Sequence, residues 1–320
     1  MSQQAHESAH VVILMTTHNG ADYLVDQLGS FLAQDHADWS LLVSDDESHD
    51  GTLDILAAFA KAHSDRRVTI LSGTCKGAAA NFMSLLRRAA DIAPAGSFIA
   101  FSDHDDVWLP QRLSRGVAVL MGLSDHRAAW CSRTLITGGE IVGADIATRL
   151  SAPRSRPLGF RNALVQNVMA GNTILLNPAA AALAYRLAAQ VDRVVVHDWW
   201  LYLILTGSGA TIIHDDRPSL YYRQHAKNEI GANNSYLAKL KRLKTLVSGR
   251  FRDWNEVNMA ALQEARPDLT AENSALIDLF EKARRGPLHR RLIALRQARL
   301  YRQTRISTAA LWFAVIFGLF

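Results

Sequence analysis

Two cysteines in 320 residues, Cys75 and Cys131, are too few for a disulfide framework, so a disulfide-stapled secreted scaffold is excluded and a reducing cytoplasm is expected. The opening residues Met1-Ser2-Gln3-Gln4-Ala5-His6 are polar and hold no signal-like apolar segment, which points the same way. Excess positive charge is missing from most of the chain. Residues 1–240 carry 20 Lys and Arg against 23 Asp and Glu, while residues 241–320 carry 15 against 7, so the net charge of +5 comes from the C-terminal quarter. The main body is therefore not read as a nucleic-acid binder. Internal repeats and low-complexity segments are absent too. The almost wholly apolar end from Ala309 to Phe320 reaches about 18 Å as a helix against roughly 30 Å of hydrocarbon, so it reads as a segment that dips into a leaflet, with a partner-binding helix or a span cut short by the end of this chain as the alternatives.

What the chain does contain is a steady alternation of apolar runs and helical faces, and 49% hydrophobic residues is ample for a large core. Val11-Val12-Ile13-Leu14-Met15 has the unbroken apolar character of a strand buried on both sides. After the turn Thr16-Thr17-His18-Asn19-Gly20, Leu24, Leu28, Phe31 and Leu32 fall on one helix face. Trp39 to Ser44 predicts a second strand, the acidic turn from Asp45 to Thr52 follows, and Leu53, Leu56 and Ala60 mark the next helix. Val68 to Leu71 predicts a third strand, Gly77 and Asn81-Phe82 lead into a helix around Leu85-Leu86, and Phe98 to Phe101 predicts a fourth. This order implies an α/β fold with a mostly parallel, doubly wound central sheet flanked by helices. Ligands bind such sheets outside the carboxyl ends of the strands, where Thr16, Asp45, Asp46 and Asp103 all fall.

The fourth strand runs into Asp103-His104-Asp105-Asp106. Three carboxylates in four residues, between a buried strand and a helix that can begin at Leu109-Pro110, are costly unless positive charge sits among them. Asp103 and Asp105 can turn their oxygens to one side, and Mg2+ or Mn2+ takes such hard ligands. A solvated acidic turn is the other reading, with Asp106 as a cap of the following helix. Ser48, Asp50 and Asn81 have equally ordinary readings as capping or turn residues.

Farther along, Leu113, Val117 and Leu120 predict a helix, Ala128 to Ser132, Glu140 to Val142 and Gly171 to Leu176 predict strands, and Ala179 to Ala189 an alanine-rich helix. The loop from Ala152 to Pro157 reads either as a cover for a polyanionic ligand or as an ordinary solvated loop. Asp198, between His197 and Trp199-Trp200, reads as a general base at an apolar pocket or as an N-cap beside core tryptophans. Tyr221 to His225 ends a short strand and leads to Asn228 and Gly231. From Lys239 the chain turns basic and helical. Nine Lys and Arg lie between Lys282 and Arg305, Glu281 is the last acidic residue, and Leu288, Leu292, Leu295 and Ala298 form a face suited to an anionic membrane surface.

The order of these motifs, from Val11 to Gly231, resembles glycosyltransferase family 2, with the glycosyltransferase A fold, and within it the bacterial rhamnosyltransferase-like branch. The resemblance implies that Thr16, His18, Asn19, Asp45, Asp46, Asn81 and Asp103 bind the nucleotide-sugar donor, with Asp46 on the pyrimidine. His18 stands where the family commonly has Tyr or Phe. The Asp103-x-Asp105 motif is similar to the family's metal motif, with Asp105 as main ligand of Mg2+ or Mn2+, Asp103 beside it and His225 within reach. Asp198 falls at the position of the catalytic base, and Asn172, His197, Trp199, Trp200 and Arg223 are expected to contact acceptor or diphosphate. The Gln-x-x-Arg-Trp signature of processive synthases is absent, which implies addition of a single sugar.

The expected organisation is a disordered N-terminus at residues 1–9, a catalytic domain at 10–235 with a nucleotide-binding half (10–108) and an acceptor half (109–235), and a basic helical extension at 236–320. The expected reaction is inverting, metal-dependent transfer of one sugar to a cell-envelope or lipid-linked glycan, at the cytoplasmic face of the inner membrane and without nucleic acid. dTDP-rhamnose is the favoured donor. Galactose or another hexose on UDP, a catalytically inactive binding protein of the same fold, and a metal-dependent phosphohydrolase are the alternatives.

Overall fold

The structure is a computed structural model that describes residues 9–124, 126–138, 141, 147–225 and 249–320. The chain opens β1 (Val11–Thr17), α1 (Ala21–Leu32), β2 (Trp39–Asp45), α2 (Thr52–Ala62), β3 (Val68–Ser72), α3 (Ala78–Ile92) and β4 (Phe98–Ser102). It continues with β5 (Val107–Trp108), α4 (Arg112–Met121), β6 (Ala128–Thr137), β7 (Thr148–Leu150), the single turn α5 (Phe160–Ala163), β8 (Leu175–Leu176) and α6 (Pro178–Ala188). Last come α7 (His197–Gly207), β9 (Thr211–Arg223), α8 (Arg250–Glu264), α9 (Ala271–Arg284), α10 (Leu288–Ala298) and α11 (Arg305–Ile316).

These elements form two compact units, one of Met1–Pro153, Met169–Gln190 and Ala210–Ile230, the other of Arg154–Val168, Val191–Gly209 and Gly231–Phe320. The first contains the sheet, ordered β3-β2-β1-β4-β8-β6-β9-β5 with β7 on the edge of β6. The β3-β2-β1-β4 side is parallel, as the βαβ alternation predicts. Its central strands β1, β2 and β4 are buried along their whole length. Beyond β4 the sheet turns antiparallel through β8 and β6, and β9 then runs parallel to β6. In the register Thr17 stands opposite Asp45, and Asp45 opposite Ser72. The turns after β1, β2 and β3 therefore leave the same edge. The core beneath joins Ile13, Leu24, Leu28, Phe31, Trp108, Leu113, Val117 and Trp130.

In the second unit α7 is apolar almost all round and is buried from Trp199 to Gly207, as such a helix must be. Trp199 Nε1 donates to the Ala163 carbonyl at 2.7 Å and Trp254 meets its ring edge-on. Phe320 folds back onto Phe251 and Phe280.

Several expectations are corrected. Gly171 to Leu176 is a 3-10 turn (Gly171–Thr173) followed by a two-residue strand, because Thr173 Oγ1 bonds back to the Ala170 carbonyl and competes with extended pairing. The strand ending at Tyr221 to His225 is 13 residues long rather than short. The helix after the acidic loop starts at Arg112, two residues past Pro110. Of the apolar face expected to meet lipid, Leu295 and Ala298 are buried in packing, Leu292 is half-buried and Leu288 is exposed, so only its first turn is open. Ile141 lies in no strand. Glu140, Val142, Asn228, Gly231, Lys239 and residues 1–8 lie outside the described residues.

Candidate active site

Three loops leaving the parallel strands hold one another in strained backbone. Asn19, Glu47 and Cys75 all have positive φ, at 47°, 65° and 56°, and each follows a different one of β1, β2 and β3. Side chains other than glycine take this conformation only when their surroundings over-determine it. Here Asp45 accepts from Thr17 Oγ1 (2.7 Å), Ser48 N (2.9 Å) and Ser48 Oγ (2.7 Å), and the Ser48 hydroxyl oxygen accepts from Asn19 N at 2.8 Å. His18 Nδ1 lies 2.7 Å from the Asp46 carbonyl oxygen. Asp50 serves two neighbours, accepting from Thr52 N at the start of α2 and from Ala21 N at the start of α1.

Asp46 is almost fully used within the protein. Its Oδ1 accepts from Thr74 N (2.8 Å) and Cys75 N (2.6 Å), and its Oδ2 from Gly77 N (3.1 Å). Of four lone-pair sites one is left, on Oδ2. Gly73 permits this closeness, since a Cβ there would lie 2.5 Å from Asp46 Oδ1 and 2.7 Å from the Asp45 carbonyl. Asn81 is turned inward. It is buried against β2, donating to the Ser44 carbonyl (2.9 Å) and accepting from Ser44 Oγ (2.6 Å), so it docks α3 onto the sheet instead of facing the loops.

The acidic loop sits beside the first turn. The His104 ring packs so closely on Gly20 that a Cβ there would lie 2.3 Å from His104 Cδ2. Burial lowers the His104 pKa, against which Asp105 and a hydrogen bond to the Thr16 backbone act. With His104 turned inward, Asp103, Asp105 and Asp106 each bring a carboxylate oxygen within 4.8 Å of the other two. At that separation two full charges repel by roughly 3–4 kcal/mol at an effective dielectric of 20. Asp106 carries the consequence: burial first, then Asp105 and Asp103, push its pKa well above the ordinary carboxylate range.

Asp106 does not cap α4, contrary to expectation. It is fully buried, accepts from Asn172 Nδ2 at 2.5 Å, and faces Arg223 N at 3.3 Å. Asn172, expected at the acceptor or diphosphate, therefore supports the acidic loop. Its carbonyl in turn accepts from Arg112 Nη2 at 2.7 Å. Arg112 is buried with its guanidinium 3.4 Å from the Trp108 ring centre; burial lowers its pKa to about 9, so it is still a cation at neutral pH. A charged residue on the otherwise apolar Leu113, Val117, Leu120 face was the one sequence signal of this buried partner.

The end of β9 closes the cluster. His225 Nε2 lies 2.8 Å from Asp105 Oδ2, and the His225 ring stacks on Tyr23, centroids 4.7 Å apart and planes at 21°. Arg223 donates to Asp26 Oδ2 at 2.9 Å and sets its guanidinium 4.6 Å from the Tyr23 ring centre. Sequence reasoning placed Arg223 and His225 near the site but had no signal for Tyr23 and Asp26, which lie three apart on α1.

In the second unit Asp198 occupies the first turn of α7, with Oδ1 accepting from Trp199 N at 2.7 Å. His197 beside it is kept neutral, as burial drives its pKa to about 3. Trp199 and Trp200, expected at the acceptor, are buried core instead. The arginine-rich loop is tied down: Arg154 donates to the Val168 carbonyl, and Arg156 lies over Tyr301. Asp103 and Asp105, with Asp106 buried behind them, thus offer hard carboxylate oxygens of the kind a divalent cation takes, and His225 adjoins them through Asp105.

The family model described as glycosyl transferase family 2 matches residues 12–156. Among curated proteins, the dTDP-rhamnosyl transferase RfbG of Shigella flexneri is 28% identical over 239 residues, covering 72% of this chain and 78% of that one. The UDP-Glc:alpha-D-GlcNAc-diphosphoundecaprenol beta-1,3-glucosyltransferase WfgD of Escherichia coli is 31% identical over 138 residues, 43% of this chain and about half of that one at 51%. The crystal structure of S. aureus TarS 1-349 in complex with UDP-GlcNAc superposes with a TM-score of 0.51 at 14% identity, covering 97% of this chain and 91% of that one, and shares the fold. The chain carries a glycosyl transferase family 2 domain on a glycosyltransferase A fold, and it is a glycosyltransferase.

Proposed function

We propose that the protein transfers a single sugar, with inversion, from a nucleoside-diphosphate donor to a lipid-linked or cell-envelope glycan, and that it uses Mg2+ or Mn2+ to do so. Rhamnose on dTDP is the favoured donor, supported by the likeness to RfbG, and a hexose on UDP is the alternative. WfgD, whose name includes a diphosphoundecaprenol acceptor, supports the acceptor class. The single observation carrying the reading is the cluster of Asp103, Asp105 and Asp106 oxygens within 4.8 Å of one another at the end of β4.

Asp105, Asp103 and His225 would hold the cation, with Asp106, pinned by Asn172, behind them. When bound, a divalent cation offsets the negative charge that grows on the departing diphosphate. Thr16 at the end of β1 and the loops carrying His18, Asn19 and Asp46 seat the nucleotide, and the lone pair left on Asp46 Oδ2 is its remaining acceptor. Asp198 takes the proton from the acceptor hydroxyl, which attacks the anomeric carbon from the face opposite the diphosphate; one displacement inverts the configuration. In a thermal-shift panel with Mn2+, dTDP-rhamnose is expected to stabilise the protein more than UDP-hexoses, with nucleoside diphosphate released only when acceptor is present. Release of inorganic phosphate without acceptor would overturn transfer in favour of hydrolysis.

A lipid-linked acceptor supports association with an anionic bilayer, for which α11 offers a larger exposed apolar face than α10. Among the described residues no helix is long and apolar enough to cross a membrane. Ile306, Phe313 and Phe317 fall on one side of α11 and are 85%, 50% and 62% exposed, while Leu311, Ala314 and Val315 on its other side are buried. The exposed Arg290, Arg296 and Arg305 supply charge for anionic headgroups. Truncation at residue 282 is a poor test, because it would remove the buried Leu295, Ala298 and Phe320. Phe313→Ser with Phe317→Ser is expected to weaken binding to phosphatidylglycerol vesicles by at least about tenfold, in proportion to the apolar area withdrawn from lipid. Unchanged co-sedimentation would refute this surface.

A further inference from the structure

We propose that Tyr23 is a positioning residue for the cation end of the active site, acting as the platform on which His225 and Arg223 are set. The inference rests on the reading that Asp105 and its neighbours hold a divalent cation. Tyr23 stands in the first turn of α1, three residues after Gly20, and so moves with the loop that packs on His104. Its ring makes two separate contacts with the end of β9: a near-parallel stack with His225 at 4.7 Å, and the Arg223 guanidinium at 4.6 Å from its centre. His225 in turn reaches Asp105 at 2.8 Å, and Arg223 is held by Asp26, one helical turn beyond Tyr23.

The physical need is plain at His225. A hydrogen bond from one imidazole nitrogen to a carboxylate sets the direction of the ring, and a stacked ring further fixes its plane; the Tyr23 face supplies such a contact. A stacked aromatic pair and a cation over a ring face are each attractive beyond the area they bury. Ligand orientation of this kind changes metal affinity by roughly tenfold or more when removed. The phenol hydroxyl has no part in either contact. The platform is the ring face.

Titration of Mn2+ into the protein with dTDP present, followed calorimetrically, separates this role from a bulk structural one. Tyr23→Phe is expected to bind Mn2+ within about twofold of the wild type, and Tyr23→Leu about tenfold more weakly. In a His225→Ala background Tyr23→Leu should weaken binding less than it does in the wild type, because of its two contacts only the one to Arg223 is left to remove. Additive losses in that background, or equal weakening by Phe and Leu, would overturn the platform. Metal-free protein offers an independent reading by NMR: the His225 ring protons, shifted upfield by the Tyr23 ring in the wild type, should move downfield in Tyr23→Leu. No movement would also overturn it. Asp105→Ala is the control. If that variant still binds Mn2+ normally, the metal site itself is wrong; if it does not while Tyr23→Leu does, only the role of Tyr23 fails.

Discussion

Asp198→Asn is expected to leave donor binding unchanged and to reduce sugar transfer by at least about a hundredfold, the range of general-base contributions. The substitution is nearly isosteric, and the amide oxygen can still accept the Trp199 N–H that Asp198 Oδ1 accepts at 2.7 Å. The first turn of α7 therefore keeps its hydrogen bond and its packing. What is lost is the ability to take a proton. His197 strengthens the case, since burial holds its pKa near 3 and it brings no positive charge at neutral pH to blunt the basicity of its neighbour. Calorimetric donor binding and turnover measured on the same preparation check this. Near-normal turnover would remove Asp198 from the role.

The second large effect belongs to Asp105→Ala, which is expected to abolish Mn2+-dependent donor binding. Asp105 is the member of the carboxylate cluster that also meets His225, so its loss removes a ligand and releases another at once. Misfolding is not the expected cause. Repulsion of roughly 3–4 kcal/mol with a charged Asp103 is relieved when Asp105 leaves, which offsets the loss of a hydrogen bond to His225 worth roughly 1.5–3 kcal/mol. The melting temperature of the metal-free variant should therefore not fall, as is common where a site is built for function at the expense of stability. Unchanged donor binding with Mn2+ would sink the metal assignment. A clear fall in melting temperature with binding intact would mean the cluster is structural.

The βαβ half of the fold was legible because buried parallel strands are written as unbroken apolar runs, as in Val11 to Met15 and Phe98 to Phe101, and the helices between them as 3.6-residue faces. The short strands β5 and β8, of two residues each, carry no period and were read from neighbouring segments or missed. The antiparallel half is defined by pairing, which only tertiary contact supplies. The same limit applied to side chains. A sequence shows that Asn81, Asn172, Trp199 and Trp200 stand near the motif positions, not whether they face ligand or core; Asn172 and Asn81 turned out to brace other residues, and the tryptophans to fill the second unit.

By itself the sequence determined where carboxylates meet strand ends, because spacing along the chain fixes which residues follow each buried strand. It also determined that the C-terminal quarter is basic and partly apolar. The tertiary structure alone decided that Asp106 is buried behind the other two carboxylates, that Arg112 and Asn172 hold it, that Tyr23 underlies His225, and that the inner side of α11 packs while its outer side faces solvent. The reason is the same in each case. Such contacts join residues up to roughly two hundred positions apart, such as Arg223 and Asp26 at 197, and the direction in which a side chain points is set by the packing around it, not by its neighbours in sequence.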